Sequence, residues 1–205
     1  MSLPEAWRRL TARGAVKAWE SFGILAPWDT FGWRRRGSWF WGERGEAFVE
    51  SMVQDLIKRH RREGPWFGAG GSVGRGAALY HGIKYKCDGV YVMCPQVDLA
   101  AKIAEEKAND AEGPYAHLQG GSKDAVPELL GLAESQEKLP PMFLVQNQFD
   151  HVNPFAEHGF KLLDVYNRKK GWCGLRVYPA IGHGGDGARD EAKLFFGHIL
   201  DKAPL

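Results

Sequence analysis

Gly70-Gly71-Ser72-Val73-Gly74 is the stretch that decides the fold of this 205-residue chain. It follows the short apolar pair Trp66-Phe67 and opens onto a helix-like stretch from Arg75 to Lys84. Small residues two before and two after a serine let a strand and a helix approach closely around a tight turn. The serine backbone is then strained and its hydroxyl points into open space. The turn also aims backbone N–H groups outward at a helix N-terminus, where negative charge is stabilised. Glycine-rich turns are common, so the weight of this one depends on what lies around it.

Outward from the turn, short β-like runs alternate with amphipathic helices. The strands are predicted at Phe22–Ala26, Trp66–Ala69, Gly89–Cys94, Met142–Gln146 and Leu175–Tyr178. Each is short and apolar, as a strand buried on both faces should be, and the alternation predicts an α/β domain with a mainly parallel sheet. Phe48, Val49, Met52, Val53, Leu56 and Ile57 recur at the spacing of one helical face, predicting a helix from about Glu46 to Arg61. Ala192, Phe195, Phe196, Ile199 and Leu200 do the same for a helix over about Ala188–Leu200. Pro154 suits the first turn of a third helix running to about Lys169. The polar, less regular 100–139 segment reads as an excursion over the sheet, a lid or insert within a single domain covering 1–205.

Composition narrows the classes. Hydrophobic residues make up 44% and charged residues 25%, as in an ordinary globular chain, and 205 residues suffice for one sizeable core. A net charge of +2 gives no case for nucleic acid, and Arg34-Arg35-Arg36 reads as a solvated loop. Cys87, Cys94 and Cys173 cannot pair completely and lack metal spacing; Cys94 ends an apolar run and reads as a small buried hydrophobe. No histidine pair has metal spacing either, and His60, His81, His117, His151, His158 and His198 read as surface or helix-face residues. No metal or cofactor is expected. With neither a signal pattern nor a membrane-length apolar run, the expectation is a cytoplasmic protein without membrane partners.

Two later segments join Ser72. Met142–Gln146 is a buried strand followed by a turn that ends in Asp150, and Leu175–Tyr178 is a strand whose following loop presents His183 between Gly182 and Gly184. Ser72 precedes Asp150 by 78 residues and Asp150 precedes His183 by 33, room for two crossovers and then one. All three residues follow predicted strands and so gather at one edge of a parallel sheet, where ligands and catalytic groups are found in open α/β folds. The order serine, acid, histidine is that of a nucleophile, its orienting acid and its base.

These motifs resemble the α/β-hydrolase superfamily, particularly its small esterase and serine-peptidase-like members. The resemblance runs from about Ser21 to the carboxyl terminus. It includes Cys94-Pro95-Gln96-Val97-Asp98 after a strand, Pro140-Pro141 ahead of the acid-bearing strand, Asp150-His151-Val152-Asn153-Pro154, and Tyr178-Pro179 before Gly182-His183-Gly184. It implies a three-layer sandwich with a mainly parallel sheet of about five or six strands. It further implies a serine hydrolase that cleaves a small carboxylic ester through an acyl-enzyme, with Ser72 as nucleophile, His183 as base and Asp150 orienting the imidazole. The Val73 backbone N–H would be one oxyanion donor. Arg75 stands where the family often has glycine, so the close packing there is expected to shift to Gly76. The strand and loop that would supply a second oxyanion donor are not found, and the amino-terminal strands are expected to be lacking. An exposed sheet edge would favour self-association into homo-oligomers.

Other readings stay open. Asp98 also follows a strand and is a rival acid. Trp28, Trp33, Trp39 and Trp41 either wall an acyl or aromatic substrate pocket or cover one sheet edge as core. Gly70, Gly74 and Gly76 also match a dinucleotide fingerprint, and Tyr166 and Lys170 form a reductase-like Y-x-x-x-K pair. A hydrolase-like binding protein without activity is the third alternative.

Overall fold

A computed structural model of the chain describes residues 46–60, 65–71, 73–109, 128–184 and 189–202. The elements are α1 (Glu46–His60), β1 (Phe67–Gly71), α2 (Val73–Lys84), β2 (Gly89–Met93), α3 (Leu99–Ala108), α4 (Leu129–Ser135), β3 (Met142–Phe149), α5 (Gly159–Arg168), β4 (Cys173–Ile181) and α6 (Arg189–Lys202). The four strands form one parallel sheet in the order β1-β2-β3-β4. The fifth predicted strand, Phe22–Ala26, lies outside the described residues, as do Ser72 and the four tryptophans Trp28, Trp33, Trp39 and Trp41.

Alternation along the central strands builds the layers. Val90 and Val92 of β2, with Met142 and Leu144 of β3, pack against Leu79 and Ile83 of α2, Leu129 and Ala133 of α4, and Leu162 and Tyr166 of α5. The intervening Tyr91, Met93 and Val145 face the other way, against Ala192, Phe195 and Phe196 of α6. Period-two side chains thus meet helices on both faces, which is why these strands read as unbroken apolar runs. Leu144 is fully buried in the middle of the first layer. Leu144→Ala is expected to lower unfolding free energy by ~2–5 kcal/mol, measured by urea denaturation at constant m-value.

Close strand–helix approach falls elsewhere than expected. A Cβ at Gly76 would meet nothing within 4 Å, whereas at Gly68 it would lie 2.8 Å from the Ala78 carbonyl oxygen of α2. At Gly82 a Cβ would come within 2.8 Å of Val90 on β2. The helix therefore rests on the sheet through Gly68 and Gly82. At the start of the same strand pair, Trp66 N–H donates to Asp88 Oδ2 (2.9 Å) and Asp88 N–H donates to the Trp66 carbonyl (3.0 Å), pinning the β1–β2 register.

Two further boundaries differ from the sequence reading. The third helix begins at Gly159, not near Pro154; the Pro154 carbonyl closes a tight turn by accepting from Glu157 and His158 N–H. The Phe155 ring fills the space above Gly159, where a Cβ would lie 2.7 Å from it. The 100–139 segment carries two helices, α3 and α4, with residues 110–127 outside the described set. Among the described residues, no helix is long and apolar enough to cross a membrane.

Candidate active site

Because the sheet is parallel, the carboxyl ends of all four strands share one edge. Gly71 pairs with Met93 and Met93 with Val145, and β3 and β4 run further, to the pairing of Phe149 with Ile181. Between Asn147–Tyr178 and Phe149–Ile181, β4 holds one residue more than β3. Pro179, which has no N–H to give a ladder, sits in this bulge on the outer strand of the described sheet. The extra residue redirects the chain as it leaves β4.

The acid loop follows β3. Asp150 is 4% exposed, and its Oδ1 accepts from the N–H groups of Val152 (2.9 Å) and Asn153 (3.0 Å), an Asx-type turn closed on its own side chain. Oδ2 accepts at 2.9 Å from the His183 ring at Nδ1, while Gln146 Nε2 stands 3.5 Å away. Burial pushes the Asp150 carboxyl up, but the Asn153 N–H, the His183 ring and the Val152 N–H outweigh it and hold the group below its ordinary value. It stays a carboxylate aimed at the imidazole.

The histidine loop is held from β3. Gly182 (φ +94°) and Gly184 (φ +92°) both take a left-handed backbone that L side chains rarely adopt, which explains a histidine set between two glycines. Gly182 N–H donates to the Phe149 carbonyl at 3.3 Å, and Asn147 Nδ2 donates to the carbonyls of both Gly182 and Gly184. The loop is thereby folded back over β3. The His183 side chain remains 18% exposed.

Cys94, the residue after β2, comes into the same place. Its thiol, an Asp150 carboxylate oxygen and a His183 ring nitrogen lie within 4.8 Å of one another. Cys94 is fully buried at φ +47°, a backbone costly for a non-glycine residue. The Cys94 N–H donates to the Val145 carbonyl (2.7 Å), and Asn153 Nδ2 donates to the Cys94 carbonyl (3.0 Å), tying β2 to the acid loop. The sequence reading treated Cys94 as a small buried hydrophobe and missed this cluster. The available signal was position: like Ser72 and Asp150, Cys94 directly follows a strand.

Ser72 lies outside the described residues, between the last residue of β1 and the first of α2. Val73 opens α2, so its N–H is among the helix-start donors without an intrahelical acceptor. Asp98, the rival acid, caps α3: its Oδ1 accepts from Ala101 N–H at 3.0 Å, and its Oδ2 pairs with Lys161 at 3.3 Å. Burial raises the Asp98 carboxyl, but the Ala101 N–H and Lys161 outweigh it and hold it below its ordinary value. Asp98→Ala is expected to cost ~1 kcal/mol of stability, as lost helix caps do. Because Asp98 titrates below its unfolded value of ~3.9, that stabilisation is full above this pH and fades as pH falls through the lower folded value. Thermal melts at neutral and acid pH check this.

Other candidates are structural. The Tyr166 hydroxyl is buried and donates to the Pro140 carbonyl (3.0 Å), while Lys170 is exposed in a turn, so the pair does not form a reductase site. His158, expected at the surface, is 2% exposed and accepts the Val97 N–H at Nδ1 (3.4 Å). Burial, with Lys102 nearby, holds it below its ordinary value, in the neutral form that this bond requires. His81 is also buried, its ring stacked on Tyr85 at 6.0 Å.

No sequence-family model matches the chain, and no curated protein matches it. Solved structures do match in shape. A truncated carbohydrate esterase from gut microbiota is similar at a TM-score of 0.59 with 16% identity, over 82% of this chain and 72% of that one. The capsule O-acetyltransferase of Neisseria meningitidis serogroup A gives 0.58 with 16% identity, over 82% and 70%. An acetyl ester-xyloside bifunctional hydrolase from Caldicellulosiruptor lactoaceticus gives 0.55 with 16% identity, over 77% and 66%. With a parallel sheet between helical layers, and these neighbours, the chain has an α/β-hydrolase-like fold.

Proposed function

We propose that the chain is a serine hydrolase of small carboxylic esters, working through an acyl-enzyme on Ser72. The observation that carries this reading is the 2.9 Å bond between His183 Nδ1 and the buried Asp150 carboxylate, at the strand edge that the G-x-S-x-G turn also adjoins. An imidazole held this way keeps Nε2 as the lone-pair nitrogen, ready to take a proton. Ser72 Oγ attacks the ester carbonyl as His183 Nε2 removes its proton. The same nitrogen then protonates the departing alcohol oxygen. Water, deprotonated by His183, releases the acid and restores Ser72. A positioned histidine contributes ~10²–10⁴-fold, and each oxyanion donor ~10²–10³-fold, the Val73 N–H serving as one.

The named activities of the structural neighbours, a carbohydrate esterase, an O-acetyltransferase and an acetyl ester hydrolase, favour a short acyl group on oxygen. Trp28, Trp33, Trp39 and Trp41 are proposed to border the acyl or aromatic part of the substrate. The test is a fluorophosphonate probe with p-nitrophenyl acetate hydrolysis, on the wild type and on Ser72→Ala. Covalent labelling and turnover should both depend on Ser72, and their absence from the wild type would overturn the reading.

A further inference from the structure

We propose that Cys94, Asp150 and His183 form an inhibitory zinc site, in which one Zn²⁺ held by thiolate, carboxylate and imidazole switches the dyad off. Among the described residues, no other group of three histidine, cysteine or acidic side chains comes so close. Tetrahedral zinc with bonds of about 2.0–2.3 Å sets neighbouring ligand atoms roughly 3.3–3.8 Å apart. The three atoms lie within 4.8 Å of one another, so shifts of about 1 Å close the site. The donor set is one thiolate, one imidazole and one carboxylate oxygen, a borderline mixture that suits Zn²⁺ better than the hard ions Mg²⁺ or Ca²⁺.

Charge and access both fit. Binding releases one proton from the Cys94 thiol to solvent, and the two anionic ligands then cancel the two charges of the ion. A neutral cluster is far easier to bury than a bare cation, and both Cys94 and Asp150 are buried. The 18% exposure of the His183 side chain gives the ion, and water as a fourth ligand, access from solvent. The other two cysteines are unsuited. Among the described residues, neither Cys87 nor Cys173 belongs to such a cluster.

The consequence for turnover rests on the serine-hydrolase reading; metal binding itself does not. His183 Nδ1 is the nitrogen that faces Asp150. Zinc bound there leaves the proton of the neutral ring on Nε2, so no lone pair remains to take the proton of Ser72. Hydrolysis stops until a chelator removes the ion.

The experiment titrates the purified chain with Co²⁺, a spectroscopic stand-in for zinc, and separately follows p-nitrophenyl acetate hydrolysis under added Zn²⁺. The wild type should develop a thiolate-to-cobalt charge-transfer band that saturates at one ion per chain and is displaced by Zn²⁺. Zn²⁺ should inhibit turnover, and EDTA should restore it. Cys94→Ser should lose the band and, measured against its own metal-free rate, need well over ~10²-fold more Zn²⁺ for half-inhibition, above the ~10–100-fold seen when only outer-shell partners are changed. If Cys94→Ser does not fold, His183→Ala must lose the cobalt complex in its place. No band in the wild type, a band that survives both variants, or a band lost only in Cys87→Ser or Cys173→Ser overturns the site. A cobalt band in a chain without esterase activity would sustain the site and defeat the hydrolase reading; activity without a band would do the reverse.

Discussion

Ser72→Ala is expected to lower kcat for p-nitrophenyl acetate by roughly 10⁴–10⁶-fold, with KM little changed, because on the proposed acyl-enzyme mechanism the hydroxyl removed is the atom that bonds to the acyl carbon. The residual rate should still exceed that of water by some 10³-fold, since the Val73 N–H and the substrate-binding surface are left in place. Steady-state kinetics and fluorophosphonate labelling read the two effects separately. Stability should barely move, as the change deletes a single oxygen. A variant that retains more than a tenth of wild-type kcat would show that another residue is the nucleophile.

Asp150→Asn should cost about 10⁴-fold in kcat while leaving the protein folded. The asparagine oxygen can still accept from Val152 and Asn153 N–H, so the turn that closes on residue 150 has its bonds. Its amide nitrogen, however, would face His183 Nδ1 as a donor and force that nitrogen to accept. The ring proton then moves to Nε2, the position that must be empty to activate Ser72. The rate should fall without a matching rise in KM, and a melting temperature within a few degrees of wild type would exclude unfolding as the cause. A loss below ~10-fold would mean that another group orients the histidine. The same substitution at Asp98 should leave the rate unaltered, since that carboxylate is engaged with Ala101 and Lys161.

The sequence carried the sheet further than the site. Strands β2 and β3 were legible because residues such as Val90, Tyr91, Val92 and Leu144 are apolar on both faces, and the helices because their stripes are continuous. The tail of β3 was not. The predicted strand ends at Gln146, yet Asn147, Gln148 and Phe149 also belong to it. Asn147 pairs with Tyr178 in the ladder, and its side chain bonds to the Gly182 and Gly184 carbonyls, 35 and 37 residues away, which no local pattern reveals. The pairing of Asp150 with His183 was legible from strand order and flanking glycines. Cys94 was not, since its nearness to them is a product of β2, β3 and β4 lying side by side. His158 misled because a histidine bonded to a backbone N–H looks, in sequence, like any surface histidine.

The clamp made by Asn147 has a consequence for how the site fails. His183 is covalently attached to β4, the outer strand of the described sheet, but Asn147 and Phe149 fasten its loop to β3, the strand that also bears Asp150. Outer strands open locally more readily than inner ones. With base and acid moored to one inner strand, fraying of β4 and separation of the dyad become distinct events. The reactive geometry is therefore insured against motion in the strand to which half of it belongs.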